Sequence, residues 1–255
     1  MEENNTENRH QNKNDSQKQI AGAIIIAGII IAGAILLKGN ITPGNNPGDQ
    51  FASVNLAKIN INDRTLGNEK AKVALVLYED FQCPFCGAIF GSSSSASLIQ
   101  ALKQRDPDWT PFVPPIIDNY VKTGDVLFVY RDWAFLGQES IKSAEAARCA
   151  GDQGKFWEYH DYLYNHQDGE NQGNFSNPNL KSFAKILDLD TPSFDKCLDE
   201  NKYAQAVAES RNEGSAAGVD GTPKGFILKN GKIVATIDGA ESYTMVKQKI
   251  ENALK

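Results

Sequence analysis

Apolar and polar positions divide this 255-residue chain into a short N-terminal region and a longer region of different character. Residues 1–19 are polar and rich in Asn and Gln, which predicts a disordered tail. Residues 20–37 carry no charge, and a run of this length just reaches that of a transmembrane helix. Residues 38–52 are rich in Gly, Pro and Asn, which is typical of a linker. Residues 53–255 are then enough for one domain with a single core.

The charges around the apolar run favour one orientation in a membrane. The basic residues before and after the run are Arg9, Lys13, Lys18 and Lys38. Three of them precede it, so the positive-inside rule places the N-terminus in the cytoplasm and the long domain outside. A cleaved signal peptide is the alternative, because Ala32-Gly33-Ala34 fits a small-residue cleavage site. Since the run continues to Leu37, we favour a retained single-pass anchor in the cell membrane over a cleaved signal or a buried core helix.

Within residues 53–255 the pattern predicts the order β–β–α–β–helices–β–β–α. The predicted strands are residues 54–61, 72–79, 125–131, 225–229 and 233–238. The last two strands flank Asn230-Gly231, which is a hairpin turn signal. A short helix is predicted to open at Pro84, and the remaining predicted helices are residues 139–150, 154–167, 178–187, 192–200 and 242–254.

Composition narrows the class of function. The net charge is −6 and the Lys and Arg residues are scattered, so no nucleic-acid partner is expected. The chain has four cysteines, which are far too few for a small scaffold held together by disulfides. They are Cys83, Cys86, Cys149 and Cys197. Their even number and the close spacing of the first two indicate redox chemistry.

The run Cys83-Pro84-Phe85-Cys86 follows an apolar strand directly and opens a helix. Unpaired N–H groups and the helix dipole stabilise a thiolate at such a helix start. Cys83 is therefore predicted to be the exposed attacking thiol. Cys86, one turn later, is predicted to be the shielded thiol that resolves a mixed disulfide. We expect no cofactor and no metal for this dithiol chemistry.

Two other uses of the cysteine pair are less favoured. A zinc site would need further ligands such as Cys149 and Cys197, but these do not form a second C-x-x-C. A purely structural bridge between Cys83 and Cys86 would close so short a loop that it would stabilise the fold very little.

The run from Asp80 to Cys86 resembles the active site of the DsbA-like thioredoxin-fold proteins, especially the single-span anchored bacterial members. The resemblance extends from about Val54 to Lys255. It includes further motifs in the same order at residues 128–132, 144–149, 153–158 with His160, and 219–223. It implies an α/β thioredoxin fold with a helical insertion at about residues 138–216. It also implies that Thr222-Pro223 is a cis-proline loop facing the cysteines, where a substrate peptide can pair.

The same resemblance implies partners and a second disulfide. Substrates would be reduced secreted or surface polypeptides, and a quinone-linked membrane thiol oxidase would reoxidise the dithiol. Some DsbA-like relatives carry a bridge within the insertion, so we predict a structural disulfide between Cys149 and Cys197, worth roughly 4 kcal/mol. Asp80 is expected to tune the thiol or relay protons, whereas Glu79 is equally well explained as a strand-end acid.

The sequence also departs from the family pattern. Phe85 stands where many DsbA proteins have a His that helps to stabilise the thiolate, which leaves the oxidising strength open. Residues 91–118 form an extra segment, in which Trp109 and Phe112 belong either to a lid or rim beside the site or to a solvated loop. His160 is a lone His in an aromatic helix and is expected to be packed rather than catalytic.

The sequence thus predicts a membrane-anchored thiol–disulfide oxidoreductase that introduces disulfides into extracytoplasmic proteins through Cys83 and Cys86. A disulfide reductase or isomerase is the alternative within the same chemistry. A tethered chaperone or binding module with structural cysteines is the alternative from another class.

Overall fold

A five-stranded sheet is the centre of the computed structural model, which describes Phe51 and residues 53–255. The strands are β1 (Arg64–Leu66), β2 (Val73–Glu79), β3 (Val126–Asp132), β4 (Lys224–Lys229) and β5 (Lys232–Asp238). Their order across the sheet is β1-β3-β2-β4-β5. Strands β2 and β3 are parallel, and the other neighbouring pairs are antiparallel.

The two central strands are buried along their whole length. This is the environment in which a continuous apolar run, rather than an alternating one, is expected. Leu75 and Leu77 point into the larger core on one face of the sheet, and Val76 points into the smaller core on the other. The strands predicted at residues 72–79 and 125–131 are therefore confirmed.

The predicted C-terminal hairpin is present as well. Strands β4 and β5 are joined by Asn230 and Gly231, whose φ angles are 51° and 76°. A type I′ turn requires positive φ at both central residues, which Asn and Gly adopt at little cost. The conformation of these two turn residues thus sets how β4 pairs with β5 beside the turn.

Helices occupy most of the chain outside the strands. The α-helices are α1 (Pro84–Phe90), α2 (Ala96–Arg105), α3 (Val113–Ile116), α4 (Gln138–Gly151), α5 (Phe156–Asn165), α6 (Asn177–Ile186), α7 (Thr191–Asp199), α8 (Ala204–Ala216) and α9 (Tyr243–Leu254). A 3₁₀ turn at Ser93–Ser95 precedes α2, and a π-helical turn at Ile117–Val121 continues α3. Helices α4 to α8 lie between β3 and β4 and form the helical insertion that the resemblance implies.

Helix α8 is the one helix of the insertion that was not predicted individually. Its buried positions are Val207, Ser210 and Gly214, two of which are small and not apolar. A helix that packs through such residues shows no apolar stripe, because a stripe requires large apolar side chains at helical spacing. The other four helices of the insertion were predicted to within about two residues at each end.

The strand predicted at residues 54–61 is wrong, since this segment forms no strand and the first strand is β1. Its alternating apolar residues do cover the smaller core, as Val54 and Leu56 show. However, the carbonyls of Ala57 and Lys58 accept hydrogen bonds from the buried guanidinium of Arg131. A side chain therefore satisfies backbone groups that a neighbouring strand would otherwise pair with.

The extra segment at residues 91–118 is neither a lid nor a solvated loop. It contains α2 and α3, and both Trp109 and Phe112 are buried. The indole N–H of Trp109 donates to the carbonyl of Ala240 at 2.8 Å. The segment is thus packed against the C-terminal part of the domain, because aromatic side chains of this size gain most from full burial.

Cys149 in α4 and Cys197 in α7 form a disulfide, with their Cα atoms 5.9 Å apart. Both residues are buried, and the bridge ties together two helices of the insertion. Because each sulfur is bonded to the other, the alternative in which these residues complete a zinc site with Cys83 and Cys86 loses its two further ligands.

The predicted tail at residues 1–19, the anchor at 20–37 and all but the end of the linker at 38–52 lie outside the described residues. Within the described part of the chain, no single helix has the length and apolar character needed to cross a membrane. One bent pair, Pro84–Phe90 with Ser93–Arg105, meets the criteria of length and composition across an angle of 114°.

Candidate active site

The two cysteines of the C-x-x-C run lie where β2 meets α1. Cys83 is the N-cap of α1 in an extended conformation, with φ −71° and ψ 117°, and Pro84 is the first helical residue. Proline is favoured there because the first-turn N–H groups have no partner within the helix. The N–H of Cys83 donates to the carbonyl of Asp80 at 3.0 Å, so a tight turn delivers the sulfur to the start of the helix.

Asp80 holds that turn in place through its side chain. One carboxylate oxygen accepts from the N–H of Gln82 at 2.8 Å and from the hydroxyl of Ser140 at 2.6 Å. The other accepts from the N–H groups of Phe135 and Leu136 at 2.8 and 3.1 Å. The carboxylate is buried and fully occupied, so Asp80 acts on the site by fixing the backbone before Cys83.

The loop at Thr222 and Pro223 lies directly opposite Cys83. The peptide bond between these two residues is cis. The thiol of Cys83 donates to the carbonyl oxygen of Thr222 at 3.3 Å. Among the described residues, the buried hydroxyl of Thr222 has no hydrogen-bond partner, which leaves it free to donate to the sulfur once the thiol ionises.

The environment separates the two thiols chemically. The pKa of Cys83 is lowered, chiefly by a hydrogen bond from the Cys86 thiol and also by the backbone N–H groups of Cys86 and Phe85. Burial raises the pKa of Cys86 well above its ordinary value, and the neighbouring Cys83 and Glu79 add to that effect. Cys83 is thus suited to be the thiolate, and Cys86 stays protonated until a step of exchange requires otherwise.

Cys83 is less exposed than the sequence predicts. It is 4% exposed and Cys86 is 0% exposed, while Phe85 between them is 44% exposed. The cis-proline loop covers the Cys83 sulfur, which local sequence pattern cannot reveal. Pro84 and Phe85, the next two residues, are exposed.

Glu79 is a buried acid close to both cysteines. It is 0% exposed, and burial raises its pKa from 4.5 to about 8. The hydroxyl of Tyr164 donates to one carboxyl oxygen at 2.6 Å, and the second oxygen lacks a partner within the described residues. A strand-end acid was an equally good expectation for this residue, but full burial next to the thiols favours a role in proton transfer.

His160 is packed among aromatic rings, as expected for a lone His in an aromatic helix. Its ring lies edge-on to those of Phe81 and Phe90, with centroids 5.6 and 4.7 Å away. Burial lowers its pKa, so the imidazole is neutral and serves the core.

Sequence reasoning missed the loop that follows α5. The side chain of Gln167 donates to the carbonyls of Phe81 and Cys83, and the N–H of Asn171 donates to the side chain of Gln82. No local signal marks these amides, because Gln and Asn in a polar loop look like ordinary solvated residues.

Comparison with known proteins gives the family. Residues 59–103 and 108–252 match the family model described as Thioredoxin. The chain belongs to the thioredoxin family. The matched residues include both cysteines and the cis-proline loop, so the site described above lies within the thioredoxin-family domain.

Several curated relatives are similar to this thioredoxin-family chain. Na(+)/H(+) antiporter NhaA 1 of Salinispora arenicola is 31% identical over 167 residues, which are 65% of this chain and 21% of that protein. A putative protein-disulfide oxidoreductase of Rickettsia bellii is 26% identical over 171 residues, or 67% of this chain and 58% of that protein. Probable disulfide bond formation protein D of Bacillus cereus is 24% identical over 171 residues, or 66% and 70%. The chain spans about a fifth of the antiporter and less than two thirds of the Rickettsia protein.

Two solved structures share the fold. Oxidised BdbD from Bacillus subtilis superposes with a TM-score of 0.63 at 21% identity, covering 79% of this chain and 98% of BdbD. Wolbachia pipientis alpha-DsbA1 gives a TM-score of 0.62 at 20% identity, covering 79% and 96%. The DsbA-like α/β thioredoxin fold with a helical insertion, expected from the sequence resemblance, is confirmed.

Proposed function

We propose that this chain introduces disulfides into polypeptides outside the cytoplasm by thiol–disulfide exchange at Cys83 and Cys86. The observation that carries the proposal is the contrast between the two thiols. Cys83 lies at a helix start with a lowered pKa, and Cys86 is buried with a raised pKa. A stabilised Cys83 thiolate is a good leaving group, which favours handing the disulfide on to a substrate.

The exchange runs in two steps. A substrate thiolate attacks the Cys83 sulfur, the Cys83–Cys86 bond breaks, and Cys86 leaves as a thiolate that takes up a proton. A second substrate thiolate then attacks the substrate sulfur of the mixed disulfide and releases Cys83 as a thiolate. Two electrons pass from the substrate to the pair, and the substrate gains one disulfide.

Glu79 is placed to exchange the proton of Cys86. With a pKa of about 8 it is mostly protonated at neutral pH, so it can protonate the departing Cys86 thiolate. In the reverse direction its carboxylate accepts the same proton. The effect of Glu79 on Cys86 supports this pairing, since the negative charge of the carboxylate is one of the causes that raise the pKa of Cys86.

The partners follow from the family resemblance and the predicted anchor. Substrates are reduced secreted or surface polypeptides that pair beside the cis-Pro223 loop. A quinone-linked membrane thiol oxidase returns Cys83 and Cys86 to the disulfide. A single-pass anchor at residues 20–37 keeps the domain at the membrane surface where both partners are found.

Turnover of a reduced, unfolded model polypeptide by the oxidised protein tests the exchange. We expect the wild type to form substrate disulfides. Cys83→Ser and Cys86→Ser should both form none, because neither variant can hold the Cys83–Cys86 disulfide that takes up the two electrons. The double variant Cys149→Ala/Cys197→Ala is the control, because it removes the two other cysteines and should still turn over. If Cys83→Ser oxidised the substrate as well as the wild type, a tethered chaperone or binding module would be the better description.

One observation favours the reductase as a second candidate. The side chain of Phe85 offers no hydrogen-bond donor to the thiolate, so this site lacks one way of stabilising the reduced form. The reduction potential of the pair decides between the two directions. A value near about −120 mV supports the oxidase, and one near about −270 mV supports a thioredoxin-like reductase.

A further inference from the structure

The side chain of Gln167, which lies outside the cysteine motif, donates hydrogen bonds to backbone carbonyls at and just before Cys83. Gln167 lies in the loop that follows α5, within the helical insertion. Its Nε2 donates to the carbonyl of Phe81 at 2.7 Å and to the carbonyl of Cys83 at 3.0 Å. A single side chain thus spans the turn that connects β2 to α1 and ends at the nucleophile.

The other end of the Gln167 amide faces the first turn of α1. Its Oε1 lies 3.4 Å from the hydroxyl of Ser95, and that hydroxyl lies 3.1 Å from the carbonyl of Pro84. Gly87 makes this approach possible, since a Cβ there would lie 2.6 Å from the Gln167 oxygen. The packing of α1 therefore leaves room for Gln167 that a larger residue would fill.

The loop carrying Gln167 is itself tied down at a second point. The N–H of Asn171 donates to the side-chain oxygen of Gln82 at 2.5 Å, and its side chain donates to the carbonyl of Leu136 at 2.6 Å. Gln82 also donates to the hydroxyl of Ser140 at 2.8 Å. Hydrogen bonds from the insertion thus hold both Gln82 and the nucleophile Cys83.

We propose that Gln167 is a positioning residue for disulfide exchange, which holds the carbonyls of Phe81 and Cys83 so that the first N–H groups of α1 stay aimed at the Cys83 sulfur. The proposal rests on the function proposed above and adds a residue that the motif does not contain. The same bonds also pair the two carbonyl oxygens with a donor. Their negative partial charge then opposes a nearby thiolate less strongly.

The consequence is a link between the insertion and the strength of the oxidant. The N–H groups of Phe85 and Cys86 help to lower the Cys83 pKa, and they do so only while α1 keeps its first turn in register with the sulfur. Loss of the Gln167 amide lets that turn move. The thiolate is then less stable, and the disulfide form becomes a weaker oxidant.

The test compares two Gln-to-Leu changes in the same loop of the full chain, purified in detergent. Gln167→Leu removes the bonds to Phe81 and Cys83. Gln172→Leu is the control, because the side-chain amide of Gln172 bonds to the carbonyl of Glu170, within the loop. The readouts are the pH titration of thiolate ultraviolet absorbance and the redox equilibrium with glutathione.

We expect Gln167→Leu to raise the pKa of Cys83 and to shift the glutathione equilibrium toward the oxidised protein by about threefold to tenfold, or roughly 15–30 mV. Gln172→Leu should match the wild type in both readouts. If Gln167→Leu does not fold, the isosteric Gln167→Glu serves instead, since it keeps the shape, lacks the amide donor and should shift both readouts in the same direction.

Unchanged titration and equilibrium in a folded Gln167 variant would overturn the proposal, as would an equal shift in Gln172→Leu. Failure of the proposed function looks different. In that case the wild type itself would not oxidise a substrate polypeptide, whatever the state of Gln167.

Discussion

At the scale of single residues, the site combines two groups whose negative charge is disfavoured with one group whose negative charge is favoured. Burial raises the pKa of Glu79 and of Cys86, so both groups resist ionisation. Hydrogen bonds lower the pKa of Cys83, so its thiolate forms more readily. Glu79 ends β2, Cys83 caps α1, and Cys86 lies in the first turn of α1. A proton that leaves one of these groups therefore has an acceptor nearby. This division of roles, rather than any single distance, is what suits the pair to exchange.

Glu79 predicts a specific dependence of stability on pH. Its pKa is about 8 in the folded protein against 4.5 as its ordinary value, so the folded state binds more protons between these two values. The free energy of unfolding should therefore fall as the pH rises from 4.5 to about 8, and Glu79 should cause no further loss above that pH. Glu79→Gln cannot ionise and should escape this cost.

Urea unfolding at several pH values measures the effect of Glu79. We expect Glu79→Gln to be more stable than the wild type above pH 8, by on the order of a few kcal/mol, with the gap closing toward pH 4.5. Glu158→Gln, which changes an exposed carboxylate on α5, is the control. Parallel curves for Glu79→Gln and the wild type over this range would contradict the burial argument.

At the scale of elements, two kinds of tie hold the helical insertion. Hydrogen bonds from the loop after α5 attach it to the turn before Cys83. The disulfide between α4 and α7 ties the insertion to itself over a sequence separation of 48 residues. The first tie acts on the site and the second on the fold, so changes to them should have separable effects.

The Cys149–Cys197 bridge should contribute to stability and leave exchange intact. Cross-linking a loop of this length lowers the entropy of the unfolded chain, which is worth about 4 kcal/mol in the chain-entropy model. We expect Cys149→Ala/Cys197→Ala to lose roughly that free energy of unfolding in urea. The reduced wild type should unfold at nearly the same urea concentration as the variant. Equal midpoints for the oxidised wild type and the variant would show that the bridge stabilises nothing.

At the scale of the whole molecule, the proposed function requires the domain to lie outside the cytoplasm, where substrates are oxidised. The charge-free run at residues 20–37 and the basic residues before it support that placement. In the proposed arrangement a tether would also keep the domain near a membrane-bound oxidant and so raise the effective concentration of the two partners.

Fractionation of a bacterium that expresses the full chain tests the anchor. We expect the full chain to remain with the membranes and to be digested by protease added from outside the cell. A chain that starts at Phe51 should stay with the soluble fraction. A soluble full-length product whose N-terminus begins just after Ala34 would show a cleaved signal peptide in place of the anchor.

Features governed by short-range pattern were predictable from the sequence. Strands β2 and β3 are continuous apolar runs, and the β4–β5 turn is an Asn-Gly pair, so neighbouring residues alone dictate both. The position of Cys83 at a helix start also follows locally, because Pro84 opens a helix directly after an apolar strand. The cis-proline loop and the second disulfide were expected from the family resemblance, and the residues by themselves do not imply them.

Only the tertiary structure decided the rest, because it depends on contacts between residues distant in sequence. Residues 54–61 alternate like a strand, yet Arg131 takes up their carbonyls. Gln167 reads as a loop residue, yet it lies against the turn before Cys83, 84 positions away. Burial of Glu79 and of the Cys83 sulfur likewise follows from elements that close over them. Local pattern thus places the two thiols at the start of a helix, and packing specifies how readily they ionise.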